Sequence, residues 1–176
     1  MKRAIINGII DVEGGYVDDP NDSGGATNCG ITEAAARAYG YRGSMRDLPH
    51  EVIFNIYSER YWDSVKGDAL AQLSERVAAE VVDTGVNMGV GTAAIFLQRV
   101  LNVMNDCGKL YPDVAVDGHI GPATLKALSW YLAVRSDTVL CRALNCLQGA
   151  RYIELAEQRE KDERFLYGWL KNRVVV

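Results

Sequence analysis

Apolar residues return every three or four positions through most of the chain, the period of helices with one buried face. Over residues 3–12, Ile6, Ile9 and Ile10 form such a stripe. Thr32 is placed to cap a short helix over Glu33–Tyr39 that closes at Gly40. Pro49 suits a first helical position and opens a helix to about residue 65, with Glu51 in its first turn. Residues 74–105 are the longest helical stretch, and Ala78, Val82, Gly85 and Gly89 give it a face of small side chains that another helix can approach. Gly89-Val90-Gly91 predicts a break there, since each helical glycine costs about 1 kcal/mol relative to alanine. Pro122 follows a tight turn and starts a further helix, and Ser136 caps a long one reaching about residue 161. Mixed charges over 154–164 suit a solvated face. Phe165 and Trp169, four apart on a last short helix, are expected to dock on the core. The pattern predicts an all-α protein.

Glu13 continues the apolar stripe seven residues after Ile6, and Gly14-Gly15 then stops the helix. A carboxylate in that position is desolvated and faces the partial negative charge of a helix C-terminus. Both effects disfavour ionisation. The result is either a general acid, protonated when its reaction needs a proton, or a side chain that bends into water from a frayed helix end.

Residues 17–32 break the helical pattern with turn formers and short polar side chains. Such a segment cannot supply a core element, but it can fold back as a hairpin-like flap carrying Asp22 and Thr27 towards Glu13. An acid, a second carboxylate and a hydroxyl are the parts that glycoside hydrolysis requires. Taken singly, Asp18, Asp19 and Asn21 read as ordinary turn residues. A calcium loop counted from Asp18 fails, because Pro20 falls on its third position and Gly30 stands near the place of the bidentate Glu. Further along, Tyr61-Trp62 either line a sugar cleft or belong to the core, and Asn87 faces either the cleft or a backbone carbonyl.

A 176-residue chain with 48% hydrophobic and 24% charged residues is long enough for a sizeable core and globular in composition. The net charge of −4 excludes the basic footprint of a nucleic-acid binder. Cys29, Cys107, Cys141 and Cys146 lack metal-ligand spacing, and neither His50 nor His119 sits in a partner motif, so no metal or cofactor is expected. Reduced thiols are expected, with Cys107, Cys141 and Cys146 buried, the alternative being one disulfide after export. Lys2-Arg3 and the short apolar run behind it lack a cleavage site, and no stretch reaches the length of a membrane span. The expectation is synthesis in the cytoplasm without a signal peptide, and a monomer.

The ordered run Glu13-Gly14-Gly15-Tyr16, Asp19-Pro20, Asp22, Gly24-Gly25, Thr27 and Gly30-Ile31-Thr32 resembles the signature of glycoside hydrolase family 108, phage-type N-acetylmuramidases that cut peptidoglycan. Downstream, Phe96-Leu97-Gln98, Leu101-Asn102, Asp117-Gly118-His119-Ile120-Gly121-Pro122, Arg151-Tyr152 and Gly168-Trp169-Leu170 resemble the small peptidoglycan domain that accompanies this family. The resemblance implies a lysozyme-like helical fold, with a catalytic region over 1–105 and a C-terminal helical region over 90–176 packed onto it as one unit. It implies Glu13 as the catalytic acid. Asp22 follows at the nine-residue spacing of phage lysozymes, and Thr27 arrives one residue earlier than theirs. Tyr16, Tyr61, Trp62 and Asn87 are the candidate sugar contacts. Peptidoglycan is itself anionic, so its recognition must be local rather than steered by net charge. An endolysin of phage or prophage would reach the wall through a holin, and a chromosomal relative through a secretion system.

Three function classes follow: a peptidoglycan hydrolase, a lytic transglycosylase, which also needs a protonated Glu but no second carboxylate, and a non-catalytic wall-binding or secretion-assisting protein. The Glu13, Asp22 and Thr27 set favours the first.

Overall fold

Helix α1 (Lys2–Glu13) buries Ile6, Ile9 and Ile10, the stripe its spacing predicts, and ends at Gly14, whose φ of +82° no β-carbon-bearing residue adopts readily. The computed structural model describes residues 1–18 and 26–174, and these group into two compact units, Met1–Ser64 and Val65–Val176. Asp22 lies outside the described residues.

In the first unit α1 packs on α3 (His50–Tyr57), whose Ile53, Ile56 and Tyr57 are buried. Apolar burial holds the pair together. The exposed Arg3 fork on Glu51 at 3.0 and 3.1 Å and the Lys2–Asp63 pair at 3.0 Å add little in water. Past Tyr57 the expected continuous helix widens into a π-helical turn, Ser58–Asp63. That turn sets the Tyr61 ring 5.2 Å from that of Tyr57 and takes Trp62 wholly inside. Helix α2 (Glu33–Tyr39) has the predicted ends. The Thr32 hydroxyl accepts the Ala35 N–H at 3.2 Å, and Gly40, at φ +105°, closes the helix in the left-handed conformation.

Three two-residue strands, β1 (Tyr16–Val17), β2 (Thr27–Asn28) and β3 (Ile31–Thr32), make an antiparallel sheet in the order β1-β2-β3. Tyr16 pairs with Asn28, Val17 with Thr27, Thr27 with Thr32 and Asn28 with Ile31. The polar segment is therefore a small hairpin sheet on an otherwise helical framework, consistent with the lysozyme-like fold that the resemblance implies.

The second unit consists of α4 (Gly67–Leu73), α5 (Glu75–Met88), α6 (Val90–Val103), α7 (Pro122–Val134), α8 (Asp137–Gln158) and α9 (Glu163–Arg173). The predicted break falls at Gly89, φ +91°, and lets α6 fold back on α5 so that Val90 and Ala93 lie against Gly85. α4 was not expected. It lies in the span between the two long helices read from the pattern. On α9, Trp169 is half-buried and its ring lies 5.1 Å from that of Tyr152, while Phe165, 6.0 Å from Trp169, stays exposed. The expected docking is thus made by Trp169 and only at the margin by Phe165. The cysteine expectation also needs correction. Cys141 is buried, but Cys107 and Cys146 are exposed, because the first sits in an irregular loop and the second on an outer position of α8. All four are free thiols.

Between α6 and α7 the chain runs without regular secondary structure, yet two side-chain amides of α6 and that of Asn105, just past its end, bind it at three places. Gln98, almost wholly buried, donates to Asp117 Oδ1 at 2.8 Å and to the His119 carbonyl at 3.0 Å, and accepts the N–H groups of Asp117 and Gly118, each at 3.1 Å. Asn102 exchanges two 2.8 Å bonds with the backbone of Val114. Asn105 donates to Asp113 at 2.6 Å and accepts the Gly108 N–H at 2.9 Å. These amides supply the partners that a neighbouring strand would otherwise give, which is how buried polar groups avoid the cost of lost water. No helix among the described residues is long and apolar enough to cross a membrane.

Candidate active site

Glu13 is the last residue of α1, half-buried, with its backbone direction set by the Gly14-Gly15 exit into β1. The opposite wall is the β2–β3 turn. Cys29 (φ +47°) and Gly30 (φ +71°) both have positive φ, the requirement of a two-residue type I′ hairpin. At Gly30 a β-carbon would lie 3.2 Å from Glu13 Oε2 and 3.1 Å from the Tyr57 hydroxyl oxygen. Glycine is therefore needed twice, for its conformation and for the space that Glu13 and Tyr57 fill. Tyr57, 2% exposed, donates its hydroxyl to the Cys29 carbonyl at 2.8 Å and so ties α3 to the turn.

The sheet is fixed from its other side too. Buried Asn28 donates to the Met45 carbonyl at 2.8 Å, and the Arg46 guanidinium lies 4.6 Å from the centroid of the Tyr16 ring. Burial, and after it the negative charges of Asp11 and Glu13, push the Cys29 thiol up.

Thr27 is half-buried in the central strand, opposite Val17 and Thr32. Tyr16 is half-buried on β1, and its hydroxyl donates to Asp18 at 3.1 Å. Tyr61 is half-buried above Tyr57. Trp62, expected as a cleft wall, has no exposed surface and carries the Lys2 ammonium 5.8 Å from its ring centroid. The π-helical turn that lifts Tyr61 outward is what puts Trp62 in the core. Asn87 belongs to the second unit and donates to the Asp83 carbonyl at 2.8 Å and to Asp83 Oδ2 at 3.2 Å, so its amide is turned along its own helix. Gly30 and Tyr57 were absent from the expected site. The only signal for them was Gly30 in the motif Gly30-Ile31-Thr32, and nothing local marks Tyr57.

The second unit holds another acid that the sequence did not flag. Glu80, in the middle of α5, is pushed up to about 7 by burial, with Asp83's charge adding and a hydrogen bond with Asn145 opposing. Its buried Oε1 and that of Gln148, which is 0% exposed, meet no hydrogen-bond donor among the described residues. Asp83 beside it is paired with Arg173 at 2.9 Å and accepts the Gln148 amide at 3.3 Å. The buried thiol of Cys141 is pushed up to about 12, first by burial and then by Glu80.

Residues 6–89 match the family described as "Glycosyl hydrolase 108", and residues 92–174 match "Predicted Peptidoglycan domain". A solved chain, titled "Structure of Brucella abortus SagA", is similar at 29% identity and a TM-score of 0.68, covering 97% of this chain and 87% of that one. No curated protein matches. The acid at the helix end and its glycine turn lie inside the first matched segment, and the amide-bound loop inside the second. Residues 6–89 belong to glycosyl hydrolase family 108 and residues 92–174 to the predicted peptidoglycan domains, so the chain is a peptidoglycan-related glycoside hydrolase.

Proposed function

We propose that this enzyme is a lysozyme, an N-acetylmuramidase that cleaves the β-1,4 bond between N-acetylmuramic acid and N-acetylglucosamine. The carrying observation is the seat of Glu13. Its carboxylate lies against a turn whose glycine leaves room for it, and a catalytic acid needs such a fixed position relative to the bond it protonates. Glu13 donates its proton to the leaving glycosidic oxygen. Asp22, in its ionised form, stabilises positive charge on the sugar or activates water, and the Thr27 hydroxyl orients that water. Tyr16 and Tyr61 are the proposed sugar contacts. Trp62 belongs to the core, and Asn87 is bonded along α5. The substrate lies outside the cytoplasm, so the enzyme acts after release through a holin or a secretion system, as a phage or prophage endolysin does.

The test is clearance of purified peptidoglycan by wild type and Glu13→Gln, with analysis of the products. The amide keeps the side chain's shape and has no proton to give, so the variant should fold and lose at least ~100-fold in rate, the typical worth of general acid catalysis. Reducing-end muramic acid among the products supports hydrolysis. Anhydro-muramic ends would reassign the enzyme as a transglycosylase, and more than a tenth of wild-type rate in Glu13→Gln would remove Glu13 from the chemistry.

A further inference from the structure

We propose that Tyr57 and Gly30 are positioning residues for the Glu13 acid, acting together through the Cys29-Gly30 turn. This rests on the reading of Glu13 as the proton donor. Three observations converge on one point. The Gly30 Cα–H direction faces both Glu13 Oε2 and the Tyr57 hydroxyl oxygen, since one added carbon would crowd the two equally. The Tyr57 hydroxyl donates to the Cys29 carbonyl at 2.8 Å, which ties the turn to α3. The turn itself needs positive φ at both residues and cannot slide along the strands without losing the Asn28–Ile31 pairing.

A carboxyl side chain has three rotatable bonds. The turn supplies one wall of the space that the Glu13 carboxylate occupies. Tyr57 keeps the wall in place, and the absent β-carbon of Gly30 sets the gap. Tyr57 transfers no proton in this arrangement. It also carries the Tyr61 ring at 5.2 Å, so the side chain that holds the acid's wall adjoins the proposed sugar contact.

The experiment measures kcat, KM and the pH dependence of kcat on soluble glycan fragments, together with thermal midpoints. The variants are Tyr57→Phe, Gly30→Ala, the double variant, Glu13→Gln and Gly40→Ala. Gly40 also has a positive φ, +105°, but nothing lies within 4 Å of where its β-carbon would be. It therefore controls for backbone strain without crowding, and Gly40→Ala should keep wild-type kcat. Tyr57→Phe should lower kcat ~10-fold with KM within about twofold, and it should displace the alkaline limb of the pH profile. Gly30→Ala should lower kcat up to ~100-fold, the scale of an ångström's misplacement. The double variant should lose no more than Gly30→Ala alone, because both changes act on the same turn and removing the hydroxyl relieves one of the methyl's two close contacts.

Losses that multiply in the double variant would overturn the coupling. So would Tyr57→Phe with wild-type kcat and pH profile beside an inactive Glu13→Gln. An active Glu13→Gln would instead overturn the acid reading, and this proposal with it. If Gly30→Ala does not fold, Tyr57→Phe decides alone, since it only deletes an atom.

Discussion

Glu13 and Glu80 both interrupt the apolar pattern of a helix, and they differ in what surrounds them. Glu80 lies mid-helix, its charged form disfavoured so strongly by burial that it titrates near 7, among inward-facing amides and beside the Asp83–Arg173 pair. Glu13 lies at a helix end, half-buried, against a turn that has no side chain where the carboxylate sits. A perturbed acid is a common mark of an active site. Here Glu80's raised pKa comes with structural amides around it, and the acid in a shaped gap is the one in the glycosyl hydrolase motif. The geometry around each acid, rather than the raised pKa of Glu80, separates the two.

Crossing the two substitutions would break that comparison most directly. Glu13→Gln should cost at least ~100-fold in turnover and leave the thermal midpoint nearly unchanged. A loss of stability without loss of rate would exchange the two roles. Next in size is Thr27→Ala, expected to lower turnover on the order of tenfold to a hundredfold by loosening the attacking water, with an unchanged pH profile. Thr27→Ser should be much milder, and equal losses in both would mean that the methyl's packing is what counts.

Glu80→Gln should leave activity within about twofold and change stability's dependence on pH. A carboxylic acid raised from 4.5 to about 7 on folding binds more protons in the native state across that window. Native stability therefore declines as pH rises from 4.5 through 7, by on the order of 3 kcal/mol from this group. The variant should lose that decline, which denaturant titrations at pH 5 and pH 8 would measure; identical pH slopes would show that Glu80 is solvated. Smallest is Asn87→Ala, which gives up a hydrogen bond to Asp83 worth about 1 kcal/mol and should not move KM. A rise in KM would return Asn87 to the substrate.

Much of the fold was legible because its signals are local. Thr32 and Gly40 bound a helix of seven residues that the chain builds as read, and Gly89 and Pro122 stand where the helices break and begin. What was not legible depends on neighbours distant in sequence. The π-helical turn at Ser58–Asp63 has no stop residue, and with it the fate of Trp62 was hidden. Gly30 reads as one glycine among many until Tyr57, twenty-seven positions on, is seen to share its space with Glu13. Glu80 breaks the apolar face of α5, but its raised pKa depends on burial and on Asn145 of α8, sixty-five positions on.

The two amides of α6, Gln98 and Asn102, act as a ruler for the loop they hold. Gln98 and Asn102 are one helical turn apart, about 6 Å of rise, while the loop spends three residues between Val114 and Asp117 on that step and has contour to spare. Asn105 lies beyond the end of α6, so its bond to Asp113 joins two parts of the loop and sets no helical register. An inserted residue between 114 and 117 can bulge outward without moving either anchor. Length variation between Val114 and Asp117 is thus absorbed by the loop and leaves the helix beneath it undisturbed.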